Sequence, residues 1–77
     1  MDNNEIFAKV AEMLAEKVEC EVSEITEKTP FEEFGFDSLD MTEMVMNASD
    51  EFGVELEMDP NIKTVGQLVN KIAELKG

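Results

Sequence analysis

The stretch Gly35-Phe36-Asp37-Ser38-Leu39-Asp40, running on from Leu39 to Phe52 and closed by Gly53, decides the fold. A polar, glycine-containing loop here gives way to an amphipathic run. Leu39, Met44, Val45, Ala48 and Phe52 supply an apolar face, and Asp40, Glu43, Asp50 and Glu51 a polar one, at the three- and four-residue spacing of a helix. Asp37 is the expected N-cap, with Asp40 three residues on, and both acids suit the positive end of the helix dipole. Ser38 stands at that junction. It is either an ordinary cap or a hydroxyl presented to solvent where a phosphate would be welcome. On spacing alone the plain cap is the simpler reading.

Outward from this stretch the pattern stays helical. Ile6, Phe7, Val10, Met13, Leu14 and Val18 form one stripe, with Glu5, Lys9, Glu12, Glu16 and Lys17 opposite and Asp2, Asn3 or Asn4 as cap. Val65, Leu68, Val69, Ile72 and Leu75 form another, opened by the capping-box pair Thr64 and Gln67. Between the first two stripes lies a long connection, Glu19 to Asp37. Val22, Ile25, Phe31 and Phe34 place it over the core, and Thr29-Pro30 before Phe31 to Phe34 predicts one helical turn ended by Gly35. Connections this long in compact domains tend to be functional. Asp59-Pro60 predicts a very short third helix through Ile62. Val54-Glu55-Leu56 alternates but is too short to count as a strand. The expected fold is all-α, a small three-to-four-helix bundle over residues 1–77 as a single domain, with a long first loop.

Composition excludes much chemistry. At 77 residues the chain buries only roughly 60% of its unfolded surface, too little for a deep, dry active site. It contains no histidine, arginine, tryptophan or tyrosine. Serine–histidine and cysteine–histidine nucleophiles and histidine-ligated zinc are therefore out of reach. One cysteine, Cys20, leaves no internal disulfide and reads as a small apolar side chain. No stretch has EF-hand spacing, and Glu32-Glu33 and Asp50-Glu51 read as solvated faces, so no metal is expected. There is no basic start followed by an apolar run, and no apolar stretch near the ~20 residues that span a bilayer, so a soluble cytoplasmic chain is expected.

The net charge of −13 is unevenly placed. Residues 19–59 hold 14 acids and one lysine, Lys28, whereas the flanks balance. The imbalance lies on the segment around Ser38. It repels nucleic acid and anionic membranes and draws basic partners. Of the three serines, Ser23 and Ser49 have no distinctive neighbours. Met41, Met44 and Met46 crowd one helix, which suits core packing, a cavity of variable content or an adaptable contact surface.

Taken together, Gly35 to Asp40, Glu43 to Met46, Asp50-Glu51-Phe52 and Thr64 to Val69 resemble the acyl carrier protein family, in length, helix order, long first loop and acidity. The resemblance implies a monomeric carrier, not an enzyme. It would hold acyl groups as thioesters on 4′-phosphopantetheine, donated from coenzyme A and joined to Ser38 by a phosphopantetheinyl transferase (a holo-acyl-carrier synthase). It further implies that Asp37, Leu39, Asp40 and Glu43 dock the basic patches of acyltransferases, ketosynthases, reductases and dehydratases. Acyl chains would lie among Phe7, Val10, Leu14, Phe34, Met44, Val45, Met46, Ala48, Ile62, Leu68 and Ile72. Fatty-acid synthesis is the expected pathway. Alternatives are polyketide, aminoacyl or D-alanyl cargo, or an unmodified acidic interaction or ion-binding module. Thr42, Ala48 and Phe36 depart from the residues common in the family, and the segment between Phe52 and Thr64 looks shorter, which leaves the cargo open and predicts a poorly formed third helix.

Overall fold

The computed structural model describes residues 2–57, 59 and 61–76. Three helices, α1 (Asn3–Val18), α2 (Ser38–Phe52) and α3 (Val65–Lys76), surround one apolar core, and 3-10 turns at Val22–Glu24 and Phe31–Phe34 punctuate the long first connection. Helix α1 begins where the Asp2 carboxylate accepts the Glu5 N–H at 2.9 Å, satisfying one of the donors a helix start leaves free. Its buried stripe is Ile6, Val10, Ala11 and Leu14. Phe7 and Met13 sit at the edge of the core rather than inside it.

The first connection is clamped at both sides. Ile25 and Phe31 are buried, whereas Val22, expected over the core, is exposed. Phe31 to Phe34 form the expected turn, and Gly35 ends it at φ 76°, a conformation that glycine reaches without steric cost. The Val22–Glu24 turn was not expected; Glu21 and Glu24 close it as a reciprocal cap. Backbone bonds tie the connection to the start of α3: Phe31 N–H to Lys63 O at 2.9 Å, Val65 N–H to Thr29 O at 3.1 Å, and Gly66 N–H to Glu27 O at 2.8 Å. A Cβ on Gly66 would stand 2.9 Å from the Glu27 carbonyl oxygen, so the approach requires a glycine.

Helix α2 buries Met41, Met44, Val45, Ala48 and Phe52. Leu39, expected on the inward face, is instead 70% exposed. The reason is angular: two residues turn a helix by about 200°, so Leu39 lies opposite Met41. The Lys76 ammonium donates to the Phe52 carbonyl at 2.8 Å, closing the end of α2 from α3. Helix α3 buries Val65, Leu68, Val69 and Ile72. The expected reciprocal cap is present, with Gln67 N–H on Thr64 Oγ1 at 3.3 Å and Thr64 N–H on Gln67 Oε1 at 3.0 Å.

The expected short third helix spans Asp59 to Ile62, and its Pro60 lies outside the described residues. Asp59, Asn61 and Ile62 belong to no helix. Asp59 makes a turn: its carboxylate accepts the Asn61 N–H at 2.9 Å and its carbonyl the Ile62 N–H at 3.0 Å. Such local bonding by an aspartate competes with helix formation. Ser49, undistinguished in the sequence, pins the segment after α2, where its hydroxyl accepts the Leu56 N–H at 2.9 Å. Among the described residues there is no strand, only an isolated bridge between Pro30 and Thr64. No helix among them is long and apolar enough to cross a membrane.

Candidate functional site

The candidate site lies at the start of α2. Asp37 has extended backbone and takes the cap: its carboxylate accepts the Asp40 N–H at 2.9 Å, while Asp40 Oδ2 accepts the Asp37 N–H at 3.3 Å. Three residues able to stabilise this helix end thus sort into roles. Asp37 is the cap, Asp40 the return partner, and Ser38 the first helical residue between them. Ser38 is exposed, and among the described residues its hydroxyl forms no hydrogen bond; only its carbonyl is engaged, accepting from Thr42 Oγ1 at 2.9 Å. The plain-cap reading of Ser38 is therefore removed, since the capping is done by its neighbour. Thr42 is exposed and bonds back to the first turn instead of packing inward.

The Asp40 N–H bound to it holds the Asp37 carboxyl below the usual carboxylate range. Asp37 is consequently charged at neutral pH, beside Ser38.

Phe36 fixes the approach to this turn. Its ring stacks on Phe31, with centroids 5.9 Å apart and planes inclined by 16°, and meets Phe34 at 5.8 Å in a tilted arrangement. The bulk that looked anomalous beside Asp37-Ser38 is thus the third ring of an aromatic cluster. It joins the 3-10 turn to the entry of α2, in the offset geometries that aromatic quadrupoles favour.

Lys17, at the last turn of α1, closes the site from the other side. Its ammonium lies 2.9 Å from Glu43 Oε2, 3.9 Å from Asp40 Oδ1 and 5.9 Å from the Phe36 ring centroid. The hydrogen bond to Glu43 holds its pKa above the ordinary lysine value. Nothing in the sequence singled Lys17 out, because the pairing depends on α1 and α2 running antiparallel.

The four expected docking residues do assemble. Asp37, Leu39 and Glu43 are exposed and Asp40 half-exposed, all on the first turns of α2 around Ser38. The residues expected around an acyl chain divide. Val10, Leu14, Met44, Val45, Ala48, Ile62, Leu68 and Ile72 are buried, and Phe7 and Phe34 pack at the margin. Met46 does not join them: it is 62% exposed. Seven residues from Leu39, it lies on the same outer side of α2, two turns along. An open groove lies elsewhere, lined by Asn4, Phe7 and Ile25 to Lys28. Cys20 is a free, half-buried thiol packed against the core. No cluster of acids or thiols suited to holding a metal ion occurs among the described residues.

The family model for a phosphopantetheine attachment site matches residues 8–72. An acyl carrier protein of Lactobacillus acidophilus is 38% identical over 80 aligned positions, covering all of both chains. One of Lactococcus lactis subsp. cremoris is 35% identical over 71 positions, covering 92% of this chain and 97% of that one. Among solved structures, the acyl carrier protein of Enterococcus faecalis superposes with a TM-score of 0.77 at 28% identity, over 97% of this chain and 99% of that chain.

Proposed function

Because the chain belongs to the acyl carrier protein family, whose members carry 4′-phosphopantetheine and are not themselves catalysts, we propose that Ser38 is the residue that bears the arm. One observation carries this reading: Asp37 does the capping, which leaves the Ser38 hydroxyl exposed at the head of α2 and without a hydrogen bond among the described residues. Its Oγ would become the protein side of a phosphodiester. The phosphate would then sit where a helix start offers its positive end. Once attached, the arm supplies a thiol at which acyl groups are held as thioesters.

The chain's own residues do the rest. Asp37, Leu39, Asp40 and Glu43 form a collar around the attachment point, and the exposed Met46 extends its apolar part along α2. We assign Met46 to this docking face rather than to the acyl-binding interior. Rim charges of this kind govern encounter rate and salt dependence more than tight affinity, which suits a carrier that must leave each partner. The matching partners are a phosphopantetheinyl transferase and basic enzymes of fatty-acid synthesis. The buried side chains Met44, Val45, Ala48, Ile62 and Leu68 form the interior into which an acyl chain would fold. The matched segment, residues 8–72, supports one carrier domain over the whole chain.

The test is loading. Incubated with a broad-specificity phosphopantetheinyl transferase, coenzyme A and magnesium, the chain gains one phosphopantetheinyl group in intact mass, and Ser38→Ala gains none. Loading of Ser38→Ala at the parent rate, or no loading of the parent, overturns the assignment.

A further inference from the structure

We infer that Lys17 is a built-in competitor for the docking acids: in the free carrier it occupies Glu43 and Asp40, and a partner's cation must displace it to dock. The inference rests on the docking role proposed for those residues. Glu43 presents its carboxylate to a cation already 2.9 Å away, and Asp40 lies 3.9 Å from the same ammonium. Two of the three acids in the collar are thus partly spoken for within the molecule. Asp37 is not among the residues that Lys17 pairs with, its carboxylate being held by the Asp40 N–H.

Lys17 is also placed to stay. Its side chain is only 25% exposed, against 47% for Lys9, which pairs with Glu51 at 3.2 Å farther along the same two helices. The Lys17 ammonium lies over the Phe36 ring, 5.9 Å from its centroid. This combination of apolar support and charged head keeps a lysine in one orientation. A lysine held at Glu43 and over the Phe36 ring must be displaced before a partner's cation can take its place. The consequence is selective. Partners that meet Asp37 and Leu39 alone dock without moving Lys17, whereas partners that place an arginine or lysine at Glu43 must compete with it. Weak encounters with stray polycations are thereby discouraged.

The experiment compares Lys17→Gln with Lys9→Gln, which makes the net charge of −13 one unit more negative to the same extent while leaving the collar alone. Lys17→Met is a second variant that keeps an unbranched apolar side chain without the ammonium. Each unmodified chain is titrated with hexa-arginine at low salt, and backbone amide shifts are followed at Asp40 and Glu43. Removing an intramolecular pair of this exposure predicts about two- to five-fold tighter binding for both Lys17 variants than for Lys9→Gln. The gap should close at molar salt, where screening reaches ~3 Å. Lys17→Arg keeps the parent affinity. In the loading reaction the Lys17 variants show a lower KM for the carrier rather than a higher kcat. Equal affinities for Lys17→Gln and Lys9→Gln, or weaker binding by both Lys17 variants, overturn the inference. The peptide titration does not involve Ser38, so a chain that is never loaded refutes the attachment site while the titration still decides the competition.

Discussion

Replacing Phe36 by alanine should both destabilise the chain and slow loading at Ser38, two residues downstream. Phe36 is half-buried, so its removal forfeits about half of the 1.5–3 kcal/mol that full burial of such a side chain contributes, roughly 1 kcal/mol. It also removes two ring pairs, at 5.9 and 5.8 Å, each worth about 0.5–1.5 kcal/mol beyond area. The sum is about 2–4 kcal/mol, a large share of the roughly 4–12 kcal/mol expected for a domain this small. With an unfolding entropy of about 2.1 cal/mol/K per residue, the melting temperature falls by roughly 12–25 °C. Thermal unfolding followed by circular dichroism at 222 nm measures the shift. Loading by the transferase, assayed well below the variant's melting temperature, measures the functional part. Phe36→Leu keeps apolar volume but not the ring geometry, and should lie between the two. A fall of under about 5 °C for Phe36→Ala would refute the view that the cluster anchors this turn. So would loading at the parent rate.

Two further outcomes follow from the same geometry. Ser49→Ala leaves the Leu56 N–H without its 2.9 Å acceptor and should cost about 1–2 kcal/mol in urea unfolding while loading stays unchanged, since the bond lies at the far end of α2 from Ser38. The depressed pKa of Asp37 predicts a stability contribution fully present above the ordinary value of 3.8 and lost as pH falls through its lower folded value. Asp37→Asn keeps the cap oxygen but no longer titrates, so its acid-unfolding curve should be flatter between 3.8 and that lower folded value; a curve parallel to the parent's would contradict the cause assigned.

What the sequence made legible was local. The Asp37–Asp40 and Thr64–Gln67 caps, the turn after Pro30 and its stop at Gly35 are all set by residues within five positions of each other, and each formed as expected. The all-helical architecture followed from apolar spacing, which a core of three packed helices must satisfy. Leu39 and Met46 show where that signal misleads. Both are apolar on an amphipathic helix, yet they lie seven residues apart on its outer side and are exposed. Hydrophobicity does not distinguish a buried side chain from one kept at the surface for contact. Only the register of Met41, Met44, Val45, Ala48 and Phe52 against the core does so. Lys17 was invisible for a different reason: its partners lie 23 and 26 positions away, brought together by the antiparallel course of α1 and α2. The segment around Asp59 read as a helix start because an aspartate before a proline suits both a cap and a turn, and its side chain is used in the turn.

The most direct test of the account is the intact mass of the protein purified from its own cells, followed by fragmentation to locate any added group. A phosphopantetheinyl group on Ser38, alone or extended by an acyl chain, is the predicted result. A chain carrying no such group under growth conditions that demand lipid synthesis, or one carrying it on Ser23 or Ser49, would contradict it.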